Sequence, residues 1–482
     1  MRQILFVIIS LFLLGSCTRV TDPYSMAPVT PYADWSPNRT STLISSSFCK
    51  QLLPPNFSDG VLSLADLIDI ALQNNPNTKR TWAQARSAAA SYGQNLSDYY
   101  PELDFSASYT RIRQSFFNTI VFVPFYQTTV NPKLALTYTL LDFGKRSSSA
   151  DSAREALYVA DYTHNQEIQT VLQTVMNDYY TYLYQKHTLE ALYADLENNK
   201  GTLDAANLKF ATGLAALGDV AQARTDYLQT KIKIVEQQKT VETAYAQLAT
   251  DIGLAANTKF QVQDLPATVT TQPIIESVGE LVLQAQNNRQ DFLAAQADVR
   301  SKEADLRNAK AASRPTISGE FDLGKNYWDG GETEDYNFTA SVSLNIPLFK
   351  GFFYKNGVRI AKANLEASQA SLLDTELTII QDVTTSQYSV LKAAENVEYS
   401  DDYVESAKVN YDVALSNYKA GTGTILNVLS AQSSLADARA QQVSSKRDWF
   451  SSLVDLAFAT GALCSPTPKT MLEPIELSPC RD

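Results

Sequence analysis

The chain has 482 residues, 19% of them charged and 44% hydrophobic, and a net charge of −12. A sequence pI near 4.9 excludes nucleic acid as the main partner, because phosphate backbones demand a basic surface. Two histidines and four cysteines leave little room for histidine-based catalysis or a multi-ligand zinc site, and a mean hydropathy of −0.20 excludes a polytopic helical membrane protein.

The first element is an export address. Arg2 precedes an apolar run from Ile4 to Leu14, too short to cross a hydrocarbon core of about 30 Å as a helix. Leu14, Gly15, Ser16 and Cys17 follow. The pattern resembles a bacterial lipoprotein signal, cleaved after residue 16 so that the Cys17 thiol carries lipid; an ordinary secretory signal with an incidental cysteine is the other reading. Thr18 and Arg19 include no aspartate of the kind that retains such lipoproteins at the inner membrane, which favours the outer one. Cys49, Cys464 and Cys480 would then face an oxidising compartment and allow one disulfide with one thiol left over, the pairing open.

The rest of the chain is written twice. Sliding it by about 214 residues places Leu67 on Leu281, Ala71 on Ala285, Asn74 on Asn288, Arg86 on Arg300 and Pro101 on Pro315. A shift of about 208 places Gly213 on Gly421, Val220 on Val428 and Gly253 on Gly461. The expected division is a signal at 1–16, an extended segment at 17–61, a repeat at 62–256, a polar linker at 257–274, a second repeat at 275–464 and a tail at 465–482.

Each repeat reads as helix, strand, strand, long helix, tight turn, helix. The first helix spans about Ser63 to Tyr99 and its copy Val278 to Ser313, each stopped by a proline, Pro101 or Pro315. Long helices follow over about Arg146 to Thr212 and Tyr354 to Lys419. Ile168, Leu172, Val175 and Tyr179 recur every three or four residues, as do Val383, Val390, Val397, Val404 and Tyr411 every seven, which is the seam of supercoiled helices. The last helices span about Ala216 to Asp251 and Thr424 to Thr460. At 1.5 Å per residue a long helix reaches about 100 Å, so it can lie beside two shorter ones stacked end to end. Such a thin rod must bury its seams against neighbours.

Between first and long helix the period switches to two. Leu103, Phe105, Ala107 and Tyr109 alternate with Asp104, Ser106 and Ser108; Leu134, Leu136, Tyr138 and Leu140 alternate with Ala135, Thr137 and Thr139. Ile317, Phe321 and Leu323, then Phe338, Ala340, Val342, Leu344, Ile346 and Leu348, repeat the pattern. Alone, it fits either a half-buried sheet or strands of about 9–11 residues crossing a membrane with a watery lumen behind them. With the export address and the rods it favours the membrane, where Tyr327, Trp328, Tyr336 and the Phe116–Phe117 pair would sit in interfacial girdles. Four strands leave costly open edges in lipid, so the chain should close a barrel of about twelve strands with two copies of itself.

With its duplicated layout and the turn segments KFATGLAALGDVAQAR (Lys209–Arg224) and YKAGTGTILNVLSAQSSL (Tyr418–Leu435), the chain resembles the TolC-like outer membrane factor family, in its lipoprotein branch, over about residues 60 to 464. The resemblance implies a mostly α fold: a homotrimeric 12-strand β-barrel in the outer membrane, continued by a 12-helix periplasmic α-barrel. It implies adaptor contact at Thr212, Gly213 and Leu214 and at Ala420, Gly421 and Thr422. It implies a periplasmic gate at Asp219, Tyr418, Asn427 and Ser430. The chain departs from the family where Asn427 and Ser430 stand in place of a ring of aspartates and Gly423 in place of an arginine. The plain reading of Gly213 and Gly421 is a left-handed helix cap, and that of Asp219 an acid at the positive end of a helix.

The function expected is a passive exit duct of a tripartite efflux or type I secretion system. A periplasmic adaptor opens it and an inner-membrane transporter of the RND or ABC type energises it. It needs no cofactor and no metal, and it is not an enzyme: no phosphate loop or nucleophile elbow is visible. The competing reading is a lipid-anchored periplasmic coiled-coil scaffold without a pore, which leaves the four alternating segments unexplained.

Overall fold

Ser63 begins the first repeat as a cap. Its side chain accepts from the Asp66 N–H at 3.3 Å while the Asp66 carboxylate accepts from the Ser63 N–H at 2.9 Å, closing a capping box. The computed structural model describes residues 22–28, 30–35, 60–118, 121–265, 277–328, 331–332 and 337–463. From Ser63 the chain enters α1 (Leu64–Asn74) and α2 (Pro76–Leu96), and Ser277 with Glu280 opens α5 (Val278–Asn288) and α6 (Gln290–Ala311) by the same box. Cys17, Cys49, Cys464, Cys480, Tyr336 and the side chains of Phe116 and Phe117 lie outside the described residues.

The helix expected as one piece in each repeat is therefore two. In the first, Pro76 has no N–H to donate and drives Asn75 to ψ 127°. In the second no proline is present; Arg289, in Asn75's place, takes ψ 123°. Its buried guanidinium donates to Asp291 at 2.7 Å and to Asp382 at 2.9 Å, so a tertiary ion-pair cluster accompanies the break that proline makes in the other copy.

The long helices are α3 (Lys145–Ala211) and α7 (Phe353–Ala420), and the returning ones α4 (Leu217–Asp251) and α8 (Ile425–Ala459). Along its upper part α3 packs on α2 and α6, and below on α4 and α8; α7 packs on α6 and α8. The thickest core sits where short helices meet end to end. Ile168, Leu172, Val175 and Leu183 of α3 bury against Leu67, Ile68, Leu248 and Ile252. In the second repeat Ile379, Val383 and Val390 bury against Leu281, Trp449 and Leu456. Toward the far tips only a thin cluster remains, built on Tyr411, Tyr418, Val428 and Leu435.

A short parallel pair that the sequence reading did not contain, β1 (Val61–Leu62) with β4 (Gln261–Val262), ties the approach to α1 to the connector after α4. The connector is held further by Tyr179, whose hydroxyl donates to the Gln263 carbonyl at 2.9 Å, and by Asp264, which meets Lys186 at 2.7 Å and His187 at 2.8 Å.

All four hairpin helices end the same way. In α4 the N–H of Leu254 reaches the Ala249 carbonyl at 2.9 Å and that of Gly253 reaches Thr250 at 2.9 Å; in α8 Ala462 and Gly461 repeat this at 2.8 and 3.0 Å. This is the Schellman pattern, with glycine in the left-handed region. A Cβ on Gly253 would stand 2.7 Å from the Asn74 backbone, and one on Gly461 2.8 Å from that of Asn288. The two caps therefore abut the two helix breaks, which explains why both glycines recur at one spacing. Gly461→Ala should destabilise the fold by about 2 kcal/mol or more, since positive φ and backbone overlap add. Thermal melting of the detergent-solubilised protein checks this, and an unchanged midpoint would contradict it.

Candidate functional site

The strands form a four-stranded antiparallel sheet in the order β2 (Glu102–Asn118), β3 (Val121–Leu141), β5 (Thr316–Gly324), β8 (Asn337–Asn345). Past the end of β5, the short strand β6 (Tyr327–Trp328) pairs with the free length of β3, and β7 (Gly331–Glu332) pairs with β6. The first hairpin is far longer than expected, with strands of 17 and 21 residues, while β5 and β8 have 9 each. The last strand stops at Asn345, short of the expected Leu348, as Pro347 approaches and cannot donate to a ladder.

The register sorts side chains into two faces, since paired residues point the same way. One face carries the rows Leu103–Leu136–Phe321–Ala340 and Phe105–Leu134–Leu323–Phe338. The other carries Glu102–Thr137–Glu320–Ser341 and Asp104–Ala135–Asp322–Thr339. On this polar face Lys133 Nζ lies 2.8 Å from Asp322 and 3.9 Å from Glu320. The apolar face is bare: Phe105, Phe338 and Val342 are 64 to 74% exposed. Among the described residues β2 pairs only with β3 and β8 only with β5, so both outer edges are open.

At the opposite end of the molecule lie two tips. In the first, the Leu214 N–H donates to Lys209 at 2.8 Å and the Gly213 N–H to Phe210 at 3.0 Å; in the second, Thr422 and Gly421 donate to Asn417 and Tyr418 at 3.0 and 3.1 Å. Gly213 (φ 75°) and Gly421 (φ 86°) have nothing within reach of an added Cβ, so backbone geometry alone requires glycine there. Thr212, Gly213, Leu214, Ala420, Gly421 and Thr422 are all exposed. Leu214, Leu217 and Leu426 add an apolar fringe to the tips, each at least 65% exposed.

The residues expected at the gate divide into two groups. Tyr418 is buried at the base of its tip. Lys209 Nζ stands 4.2 Å from its ring centroid, a cation–π contact between the two hairpins. Burial, with the nearby Asp219 charge adding, raises the Tyr418 hydroxyl above the usual phenol range, and that hydroxyl has no hydrogen-bond partner among the described residues. Asp219 is half-buried in the first turn of α4. Asn427 and Ser430 are exposed on the first turns of α8; the Asn427 N–H donates to the capping Thr424 Oγ1 at 3.4 Å.

Behind Tyr418 runs a line of cross-hairpin ties that the sequence reading missed. The Thr202 hydroxyl donates to Gln432 Oε1 at 3.1 Å, the Tyr411 hydroxyl to the Asn198 carbonyl at 3.2 Å, and Arg439 to Asp195. Higher up, Gln173 and Asn177 donate to Asp455 at 2.8 and 3.1 Å. Every tie joins α3 to α7 or α8. Asp195 is buried, and burial lifts its carboxyl above the usual range despite the opposing pull of Arg439. A charge inside a helical seam was the available signal, because such a position is otherwise apolar.

Comparison with known proteins completes the picture. The family described as "Outer membrane efflux protein" matches residues 67–254 and 281–462. Protein CyaE of Bordetella pertussis is 26% identical over 390 residues, covering 79% of this chain and 80% of that one. The pyoverdine export outer membrane protein OpmQ of Pseudomonas putida is 25% identical over 458 residues, covering 92% and 93%. Among solved structures, the outer-membrane channel OprN superposes with a TM-score of 0.77 at 20% identity, covering 84% and 91%, and VceC from Vibrio cholerae with 0.74 at 21%, covering 83% and 96%.

Proposed function

The chain belongs to the outer membrane efflux protein family, and from that premise we propose that three copies close one continuous conduit. The conduit would be a barrel of about twelve strands in the membrane above a cylinder of helices in the periplasm. The protein is an outer membrane exit duct and not an enzyme. The observation that carries the trimer is the two-faced sheet with two open edges, since unpaired strand edges are not tolerated in hydrocarbon.

The helices supply a second argument. Leu373, Leu377, Ile380, Tyr388 and Leu391 line a bare seam of α7, and Leu228, Ile232 and Val235 a bare seam of α4. Each lies at an outer flank of the protomer's helix array, the α7 seam level with the equatorial core and the α4 seam nearer the tips, so each would be covered by the facing flank of the next copy at its own height. Tyr388→Asp with Leu377→Asp should abolish the trimer, because a desolvated carboxylate in a helical seam has no partner. The reading expects a wild-type trimer that dissociates only on boiling and conducts in planar bilayers, and a monomeric, non-conducting double variant. A wild type that is soluble, monomeric and non-conducting would return the chain to the scaffold reading.

Within this reading the units 62–256 and 275–464 are the two quasi-equivalent staves, joined through 257–274, with 17–61 and 465–482 as flanking segments. The Cys17 thiol carries the lipid anchor after removal of 1–16. The exposed turns at Thr212–Leu214 and Ala420–Thr422 receive the periplasmic adaptor, which links the duct to an inner-membrane RND or ABC transporter. Tyr418 and Asp219 belong to the gate, and Asn427 and Ser430 line an entrance without a carboxylate ring. Cysteine crosslinking from Gly421→Cys in cells, with mass-spectrometric identification of the captured protein, tests the adaptor contact; capture of an adaptor is the expected result.

A further inference from the structure

We propose that the outward face of the β2–β3 hairpin, just past the apolar band, binds the phosphate groups of outer-leaflet lipid headgroups through Arg111 and Arg113. The inference rests on the reading of the sheet as a barrel wall. From Leu140 to Val130 the outward row of β3 covers about 34 Å along the strand, or about 25 Å along the membrane normal at a tilt near 40°. That is the height of an apolar band, so its distal margin falls at the row Tyr109–Val130–Tyr327.

Past that row the same face changes character. Arg111 pairs with Thr128 and Arg113 with Tyr126, one and two rows beyond the band. Both arginines are exposed, and neither has an ion-pair partner among the described residues. Their guanidinium carbons stand 6.0 and 5.6 Å from the centroid of the Tyr126 ring, so one aromatic ring holds both. On the next strand Tyr327 carries Lys325 Nζ 5.1 Å from its centroid. Glu332 pairs with Tyr327, on the side of β3 away from the arginines.

The chemistry that this arrangement recognises is a phosphate ester at the boundary of hydrocarbon and water. Guanidinium stays charged, presents a planar fork and bonds phosphate oxygens in pairs. Tyrosine at the band margin is the usual interfacial anchor. Cations facing lipid are unfavourable at the midplane and tolerated at the margin, and there they attract anionic headgroups. The hairpin tip lies at the end of the sheet away from the helices, which places the arginines in the outer leaflet, and β2 is a protomer edge, so each site would lie beside a subunit boundary.

The test titrates the purified trimer in detergent with diphosphorylated lipid A and with the same lipid after removal of its phosphates, reading bound lipid by native mass spectrometry. The wild type should retain the phosphorylated lipid about tenfold better than Arg111→Gln/Arg113→Gln, should discriminate against the dephosphorylated form, and should not lose the lipid to equal inorganic phosphate. Arg111→Lys/Arg113→Lys should recover part of the binding. Equal retention by wild type and Gln variant, or indifference to the phosphates, overturns the site. Displacement by free phosphate overturns the choice of a lipid. A wild type absent from the membrane fraction would sink the barrel reading and this site with it, whereas an embedded wild type without phosphate preference sinks this site alone.

Discussion

Arg439→Met is expected to open the periplasmic end: single-channel conductance in planar bilayers should rise several-fold. Arg439 on α8 is the partner of Asp195 on α3, and the carboxylate is buried at the hairpin interface. Removing one member of a buried pair costs about 3–5 kcal/mol, because the other is left desolvated. The chain has two routes to relieve that cost: protonate Asp195, whose carboxyl burial already lifts, or separate α8 from α3 so that water reaches it. Separation also breaks the neighbouring Thr202–Gln432 and Tyr411–Asn198 bonds, whose individual worth is only about 1 kcal/mol each. The tip contact of Lys209 with Tyr418 then stands alone. In the proposed trimer the same bias would act at each of the three protomers. The control is Asp195→Asn with Arg439→Met, which leaves no buried charge and should conduct close to wild type. Equal conductance of wild type and Arg439→Met, with the melting temperature unchanged, would show that the pair does not hold the tips.

The same pair shows where sequence reading stops. Repeats were legible because glycines and prolines punctuate them at fixed spacing, and each proved to have a backbone reason: Gly253 and Gly461 abut the helix breaks at Asn74 and Asn288. The break at Pro76 could have been read from the proline. The one at Arg289 could not, because it accompanies acids at 291 and 382 and only the second lies far away in sequence. Strand existence was legible from alternation, but the length of the first hairpin was not. Alternation lapses where Arg111 and Arg113 take the places of apolar residues, although the ladder continues to Asn118. At the tips, Tyr418 and Asp219 came from resemblance. Lys209 escaped because a lysine in a last turn reads as a complement to the helix dipole. Asp195 and Arg439 escaped because nothing local pairs residues so distant along the chain.

Stability should fall as pH rises from about 6.5 to 9, and Asp161→Asn should flatten the fall. Asp161 on α3 is fully buried and neither carboxylate oxygen has a hydrogen-bond partner among the described residues; burial pushes its carboxyl up to about 9. One turn on, His164 is equally buried, meets Thr81 Oγ1 at 2.9 Å through Nδ1, and is driven down by burial to about 4. The signs follow from proton counts. Between about 4 and 9 the folded state holds a proton on Asp161 that the unfolded chain has released, so rising pH destabilises the fold, by at most about 1.4 kcal/mol per unit. Between about 4 and 6.5 the unfolded chain holds a proton that His164 lacks, so rising pH stabilises, and the two slopes cancel. Above 6.5 the histidine contributes nothing and the Asp161 slope stands uncovered. Asp178, whose carboxyl burial and then the neighbouring Asp251 push up to about 8, adds a falling slope of its own from about 4 to 8, so below 6.5 the decline is gentler than above it rather than absent. The asparagine keeps the volume at position 161 and cannot ionise, so the gap between variant and wild type should be smallest near pH 4 and widen steadily toward pH 9, in the variant's favour. Melting curves that stay parallel across this range would mean that Asp161 ionises freely in the folded protein and that water or an ion reaches its carboxylate, although the chain nearby is held, the Trp35 backbone N–H bonding Asn165 at 2.9 Å.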